Sequence, residues 1–365
     1  MQTQLPLRST LGFGRAPRLI LVALLILMLA IGGALVGSQL LRPPLPSPFG
    51  LAGNGLLASE VDGAIVLMEP DGSNVRPLAL PFQGVSGTSF SRGGTRLAAW
   101  ATPVPGRESE KSLFVANVDG SGSFELDPTT LVTAPGFRIA WSPDDQRLAF
   151  SGSGDRLFVA DVAARTIREL GLDGSITFRK DPAWAPDGRL AYRCTTADGA
   201  LHLCVMSADF QDEQILKTSP GTDWAFHAPS WSHDGSSITY QVDDAVDWPA
   251  SNPGYDVATI DVASGAERIL TLGFVPHSIL PVWSADDRHI VFLTSDAAAV
   301  VRSDGTGLRK LGDRACEWFE PSPDGAVVAC QMLGQVVLYP IAGGTPTIIA
   351  LDGNADSVAW QRVAN

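Results

Sequence analysis

One phrase recurs along most of this chain: an aromatic residue, then Ser-Pro-Asp-Gly or a near copy, then a short apolar stretch. The copies are Phe90-Ser91-Arg92-Gly93-Gly94, Trp141-Ser142-Pro143-Asp144-Asp145, Trp184-Ala185-Pro186-Asp187-Gly188, Trp231-Ser232-His233-Asp234-Gly235, Trp283-Ser284-Ala285-Asp286-Asp287 and Pro321-Ser322-Pro323-Asp324-Gly325. Trp360 occupies the same place at the end, and successive copies lie 51, 43, 47, 52, 38 and 39 residues apart. Units of this length that hold several short strands each predict an all-β β-propeller.

Each unit reads as four strands, A to D. Strand A ends at the aromatic residue. The phrase then turns the chain, because proline presets φ, aspartate caps its own turn and glycine accepts positive φ. Arg147–Phe150 reads as strand B, Leu157–Val162 as strand C and Thr166–Leu170 as strand D. The first unit has B, C and D at Gly55–Glu60, Ala64–Glu69 and Val75–Ala79 but no strand A. Ser357–Gln361 supplies it from the other end of the chain, which predicts seven blades and leaves no open sheet edge. Six blades plus a degenerate segment is the rival count, since the Pro321 copy has lost its aromatic residue.

Leu19–Leu41 carries no charge, and its 23 residues as a helix span roughly 34 Å, enough to cross a bilayer. Arg8, Arg15 and Arg18 precede it and Arg42 follows. That bias predicts a single-pass anchor in the lipid bilayer of a bacterial-type cytoplasmic membrane, with the N-terminus inside and the propeller outside. A cleaved signal peptide is the rival, although its apolar core is usually shorter. The organisation expected is a tail at 1–18, a helix at 19–41, a proline-rich spacer at 42–52 and a propeller at 53–365. All 39 acidic residues follow position 59, and the chain from Pro43 onward carries a formal charge of −17. An acidic surface repels phosphate backbones, so no nucleic-acid partner is expected.

Cys194, Cys204, Cys316 and Cys330 are the only cysteines, and they lack the C-x-x-C spacing of zinc or redox motifs. An even number in an oxidising compartment predicts two disulfides. Three pairings are possible, of which the blade reading favours Cys194–Cys204 and Cys316–Cys330. The first two are equidistant from Gly199 in a B–C hairpin, so a three-residue loop sets them opposite each other. The second two sit on strands A and B around the Asp324-Gly325 turn.

The turns at Trp141, Trp184, Trp231 and Trp283, together with Val66-Leu67-Met68-Glu69-Pro70-Asp71-Gly72-Ser73-Asn74, resemble the TolB-like family of propeller repeats over roughly residues 53–362. The resemblance implies a propeller in the cell envelope. The family's namesake also has a separate N-terminal domain that binds envelope proteins. The spacer leaves no room for one here, so that role is not implied. Similar repeats precede a peptidase domain in prolyl-oligopeptidase-like enzymes, and no such domain is expected after Asn365.

Catalytic phrases are absent: there is no G-x-S-x-G, H-E-x-x-H or G-x-x-x-x-G-K-[ST]. No catalytic residue, metal or cofactor is expected. Asp243, Asp244, Asp247 and Asp256 offer oxygen ligands but lack an EF-hand order, and read as a solvated acidic loop. His202 reads as a packing residue, His233 as part of a repeat turn and His289 as the start of a B strand. His227 and His277 precede A strands and fall near one mouth of the channel.

Strands that run up and down put the D–A and B–C connections on one face and the A–B and C–D turns on the other. The long insertions Thr102–Lys111 and Asp243–Tyr255 fall on the D–A face, with Phe137-Arg138, Arg179-Lys180-Asp181, Asp223–His227, His277 and Arg314–Phe319. Varied loops on a rigid scaffold are where binding resides, and aromatic residues are favoured anchors. The candidate binding residues are therefore Trp224, His227, Trp248, His277, Trp318 and Arg179. The expected activity is non-catalytic recognition of a protein, peptide or glycan. The alternatives are a channel-mouth enzyme such as a glycan lyase or cyclase, and an extracytoplasmic sensor.

Overall fold

The computed structural model describes residues 47–102, 110–127, 132–133, 138–171, 175–219, 226–243, 254–274 and 279–365. The expected tail, the membrane helix at 19–41 and most of the spacer lie outside the described residues. Within them the fold is all-β, and no helix is long and apolar enough to cross a membrane. The strands form seven antiparallel sheets in a ring, so the count is seven blades rather than six.

Blade 1 is closed by both ends of the described chain. Its inner strand A is Ala355–Val363, and B, C and D are Gly53–Val61, Ala64–Met68 and Arg76–Pro77. Leu57 faces Trp360 and Glu60 faces Ser357 across the closing pair. The A strands of blades 2 to 7 are Gln83–Phe90, Ile139–Trp141, Ile176–Trp184, Ser230–Trp231, Ile279–Trp283 and Trp318–Pro321. Each sheet alternates apolar residues toward its two neighbours, so the core is divided among the seven gaps between blades. Trp100, Trp141 and Phe150 fill the gap between blades 2 and 3. Trp184, Tyr192 and Phe210 fill the next, and Leu57, Val358 and Trp360 fill the gap between blades 7 and 1.

The repeated aromatic residue joins neighbouring blades. The indole N–H of Trp141 donates to Ser89 O (3.2 Å), that of Trp184 to Ala140 O (3.1 Å) and that of Trp231 to Ala183 O (3.1 Å). Each acceptor is the residue just before the aromatic position of the preceding blade. One side chain thus fills the gap and ties two inner strands together.

The turn phrase has a second such tie. Asp145 and Asp287 stand where other copies have glycine, at φ of 57° and 55°. An L-residue there costs roughly 1–2 kcal/mol. Asp145 recovers this by accepting the main-chain N–H groups of Arg92 (2.7 Å) and Gly93 (2.8 Å) from blade 2. Asp287 does the same for His233 (2.8 Å) and Asp234 (3.1 Å) of blade 5. Charge-assisted bonds of this kind are roughly twice as strong as neutral ones. Within a turn, Ser142 Oγ donates to Asp144 (2.6 Å) and accepts Arg147 N–H (2.9 Å).

Both disulfides form as paired above, Cys194–Cys204 and Cys316–Cys330. Their local geometry differs from the sequence reading. The B–C turn of blade 4 is closed by Gly199 N–H to Thr196 O and Thr196 N–H to Ala200 O. That register sets Cys194 opposite His202 and Cys204 opposite Tyr192. The bridge therefore runs diagonally, over a Cα–Cα distance of 6.0 Å. Cys316 precedes strand A of blade 7 rather than lying on it.

Candidate functional site

The axial channel has two mouths, and the chain's own spacer covers one of them. On the A–B side, Arg362 donates to Ser47 O (2.9 Å) and Gly50 O (2.6 Å), and Ala52 N–H donates to Pro323 O (2.9 Å). These bonds lay residues 47–52 along the repeat turns. The Phe49 ring lies 4.5 Å beneath the Arg92 guanidinium carbon and 6.1 Å from the His233 ring. Arg92 and His233 both sit in A–B turns. A cation over an aromatic face is attractive, more so when water is excluded.

Behind Phe49 lies a cavity of about 220 Å³, lined by inner strands of all seven blades. Its charged lining is unusual for so acidic a protein. Among the described residues, Arg92, Arg138 and Arg362 share it with a single carboxylate, Glu320. His233 also lines it, held by Asp287 at 2.7 Å. Burial pushes the Arg92 and Arg138 guanidiniums below their ordinary range, while Glu320 pulls both back up. Arg362 is pushed down to about 10 by burial and by Arg92, against the pull of Glu320. The Glu320 carboxyl is pushed up by burial, against the combined pull of Arg138, Arg92 and Arg362. The opposing charges reach one another through the cavity, and desolvation still prevails.

Toward the D–A mouth, Arg138 of blade 3 reaches across the channel to blade 7. Its guanidinium carbon lies 5.6 Å from the Trp318 ring centre. Nearby, His227 Nδ1 lies 3.2 Å from Asp181 Oδ2, and its Nε2 lies 2.8 Å from Arg193 Nη1. A guanidinium only donates, so the Nε2 lone pair accepts from Arg193 and the ring proton sits on Nδ1, facing Asp181. Asp181 is at φ 59°, and its own N–H donates to Ser151 Oγ (2.9 Å). The arrangement holds the imidazole in one orientation. Because Nε2 already accepts from Arg193, it is not available to take a proton from a substrate.

The six binding residues expected from sequence divide into three groups. Trp318 and His227 are at the D–A mouth. Arg179 lies within strand A of blade 4 rather than in a loop, and its guanidinium forms a buried two-bond pair with Glu213 (2.8 Å each), which Tyr192 OH also contacts. Burial pulls the Arg179 guanidinium down, and Glu213 more than restores it. Burial and Glu213 push the Tyr192 hydroxyl up. Arg179 is thus a brace from inner to outer strand. Trp224, Trp248 and His277 lie outside the described residues, as do Asp244 and Asp247 and most of both long insertions.

Asp256 departs from the acidic-loop reading: it is buried in strand C of blade 5 and accepts the Thr271 hydroxyl (2.8 Å). His202 packs in a C strand as expected, held between Thr196 (2.9 Å) and Thr218 (3.0 Å), and burial lowers its basicity.

Arg92, Glu320 and Arg362 were not singled out from sequence, and Arg138 was placed on the D–A face without being named as a binding residue. A signal was present. Arg92 and Arg362 occupy the place that proline fills at Pro143 and Pro323. Glu320 occupies a place filled elsewhere by Ala140, Ala183 or Ser230. Departures from a repeat at its channel-lining positions mark residues that the scaffold does not need.

No protein-family profile matches the sequence, and no curated protein is significantly similar to it. Solved structures do match the fold. TolB from Acinetobacter baumannii superposes with a TM-score of 0.50 at 17% identity, over 86% of this chain and 81% of that one. A chain of a nidogen/laminin complex superposes with a TM-score of 0.51 at 11% identity, over 85% of this chain and 99% of that one. An oligogalacturonate lyase in complex with manganese gives 0.46 at 15% identity, over 64% and 67%, too low to bear on function. The domain is a TolB-like propeller in fold.

Proposed function

We propose that this chain is a membrane-anchored, extracytoplasmic recognition module that binds a protein, peptide or glycan at the D–A mouth of its propeller. The carrying observation is the asymmetry of the two mouths. Residues 47–52, the last part of the spacer, cover the A–B mouth through Arg362, Pro323 and Arg92. Trp318, Arg138, His227 and Asp181 gather at the other. The two disulfides fit the oxidising compartment that an extracytoplasmic domain requires. Fixed aromatic and charged side chains on a rigid ring suit binding. The engaged Nε2 of His227 weighs against the enzymatic alternative.

A photo-reactive amino acid placed at position 318 in the full-length chain, in cells of the native host, should give a discrete cross-linked adduct. The same group at position 187, in an A–B turn, should give none. An adduct from position 187 alone would move the binding face to the opposite side. The anchor is tested separately: the protein should stay with membranes after carbonate washing, and protease added outside should remove the propeller. A soluble product starting after Gly37 would replace the anchor with a cleaved signal.

A further inference from the structure

We propose that the axial cavity is a binding site for a doubly charged small anion, a dicarboxylate or an inorganic oxyanion such as sulfate or phosphate, gripped by Arg92, Arg138 and Arg362. The site shares Arg138 with the D–A mouth but rests equally on Arg92 and Arg362, and does not depend on the macromolecular reading above.

The argument starts from charge. The protein carries a formal charge of −13, yet among the described residues three guanidiniums share one partly open cavity with one carboxylate, a formal excess of two positive charges in its lining. Buried charge is costly unless it is paired. The next carboxylates, Asp145 and Asp181, attract Arg92 and Arg138 from outside the cavity and place no acceptor in its lining. Asp145 influences Arg92 but is occupied by the main-chain N–H groups of Arg92 and Gly93. Asp181 influences Arg138 but faces His227. Neither lines the cavity. His233 is held by Asp287.

Hydrogen bonding points the same way. Arg362 uses Nη2 on the spacer carbonyls, while its Nε is buried with no hydrogen-bond partner among the described residues. Arg92 and Arg138 hold their guanidinium carbons over the Phe49 and Trp318 rings, a contact that uses no N–H and leaves those donors for an acceptor. Guanidinium edges match carboxylate and tetrahedral oxyanions through paired N–H groups. A volume of about 220 Å³ holds an anion of this size but no folded partner. With Phe49 and the spacer over the A–B mouth, the ligand enters from the D–A side.

The test is thermal melting and calorimetric titration of the full-length protein with sulfate, phosphate, malonate, acetate and chloride at matched ionic strength. Dianions should stabilise saturably in the low-millimolar range or below, and acetate and chloride should not. Arg138→Gln should weaken dianion binding at least ~10-fold, the loss expected for one charge-assisted fork. Glu320→Gln should tighten it several-fold, because it removes the one competing carboxylate among the described residues of the cavity lining. Opposite signs from two neighbouring substitutions cannot come from a general loss of structure. Should Arg138→Gln fail to fold, Glu320→Gln and Arg362→Lys carry the same test. Absence of saturable binding, or binding unchanged in both variants, overturns the site. So does loss on Arg302→Gln with retention on Arg138→Gln, which would place the anion in the outer groove lined by Arg288, Arg302 and Arg309.

Discussion

Trp231 and Trp283 occupy the same repeat position in successive blades, with 4% and 6% of their surfaces exposed. They differ in one respect. The Trp231 indole donates to Ala183 O, whereas the Trp283 indole N–H is buried with no hydrogen-bond partner among the described residues. Replacement of either by phenylalanine deletes the same part of a ring from a gap between blades and costs about 1–2 kcal/mol in packing. Trp231→Phe also loses a hydrogen bond with a net value of about 1 kcal/mol. Trp283→Phe removes an unpaired buried donor and regains about 1 kcal/mol or more. Trp231→Phe should therefore be the more destabilising by about 2 kcal/mol. With a urea slope of roughly 3 kcal/mol/M, that is a midpoint difference of about 0.7 M. Unfolding followed by far-UV circular dichroism reads it without depending on the tryptophan signal that the substitutions alter. Equal midpoints at equal slopes, or a lower midpoint for Trp283→Phe, would refute the view that the repeated indole ties one blade to the next by its N–H.

Two further outcomes follow from the same architecture. A chain ending at Gly353 loses the whole inner strand of blade 1. Trp360→Ala alone should cost about 3–5 kcal/mol against a total stability of about 5–15 kcal/mol, so the truncated chain should not fold cooperatively; melting like the full-length protein would disprove closure by the two ends. Asp144 and Asp234 have carboxyls whose burial is outweighed by hydrogen bonds from Ser142 and Gln146 and from Ser236 and Ser232, which hold them below the ordinary 3.8. A carboxyl lowered by folding stabilises fully above its unfolded value and loses that contribution as pH falls through its folded value. Stability should thus fall below about pH 4, and Asp144→Asn with Asp234→Asn should flatten that fall; an unchanged acid limb would show that these turns contribute nothing to it.

Local chemistry made the scaffold legible in the sequence. A turn of the Ser-Pro-Asp-Gly type is decided by a few adjacent residues, and alternation within a strand is decided by its own side chains. Seven blades, a closing strand at Ser357–Gln361 and both cysteine pairings could therefore be read from the sequence, and the structure extends that strand to Ala355–Val363. The diagonal offset of Cys194 and Cys204 could not, because it depends on the turn that Thr196, Gly199 and Ala200 close.

The charged cavity was settled only by the tertiary structure. Arg92, Arg138, Glu320 and Arg362 are separated by tens to hundreds of residues, and each looks like an ordinary surface residue in its own segment. Ring closure carries four different inner strands to one axis, and only there do their charges act within a common low-dielectric space. The same holds for Phe49, which reads as part of a spacer and becomes the cover of a channel mouth, because Arg362, at the opposite end of the chain, binds the carbonyls on either side of it. Sequence determines what neighbours in the chain can do together. The placement of distant residues in one cavity is a property of the closed ring.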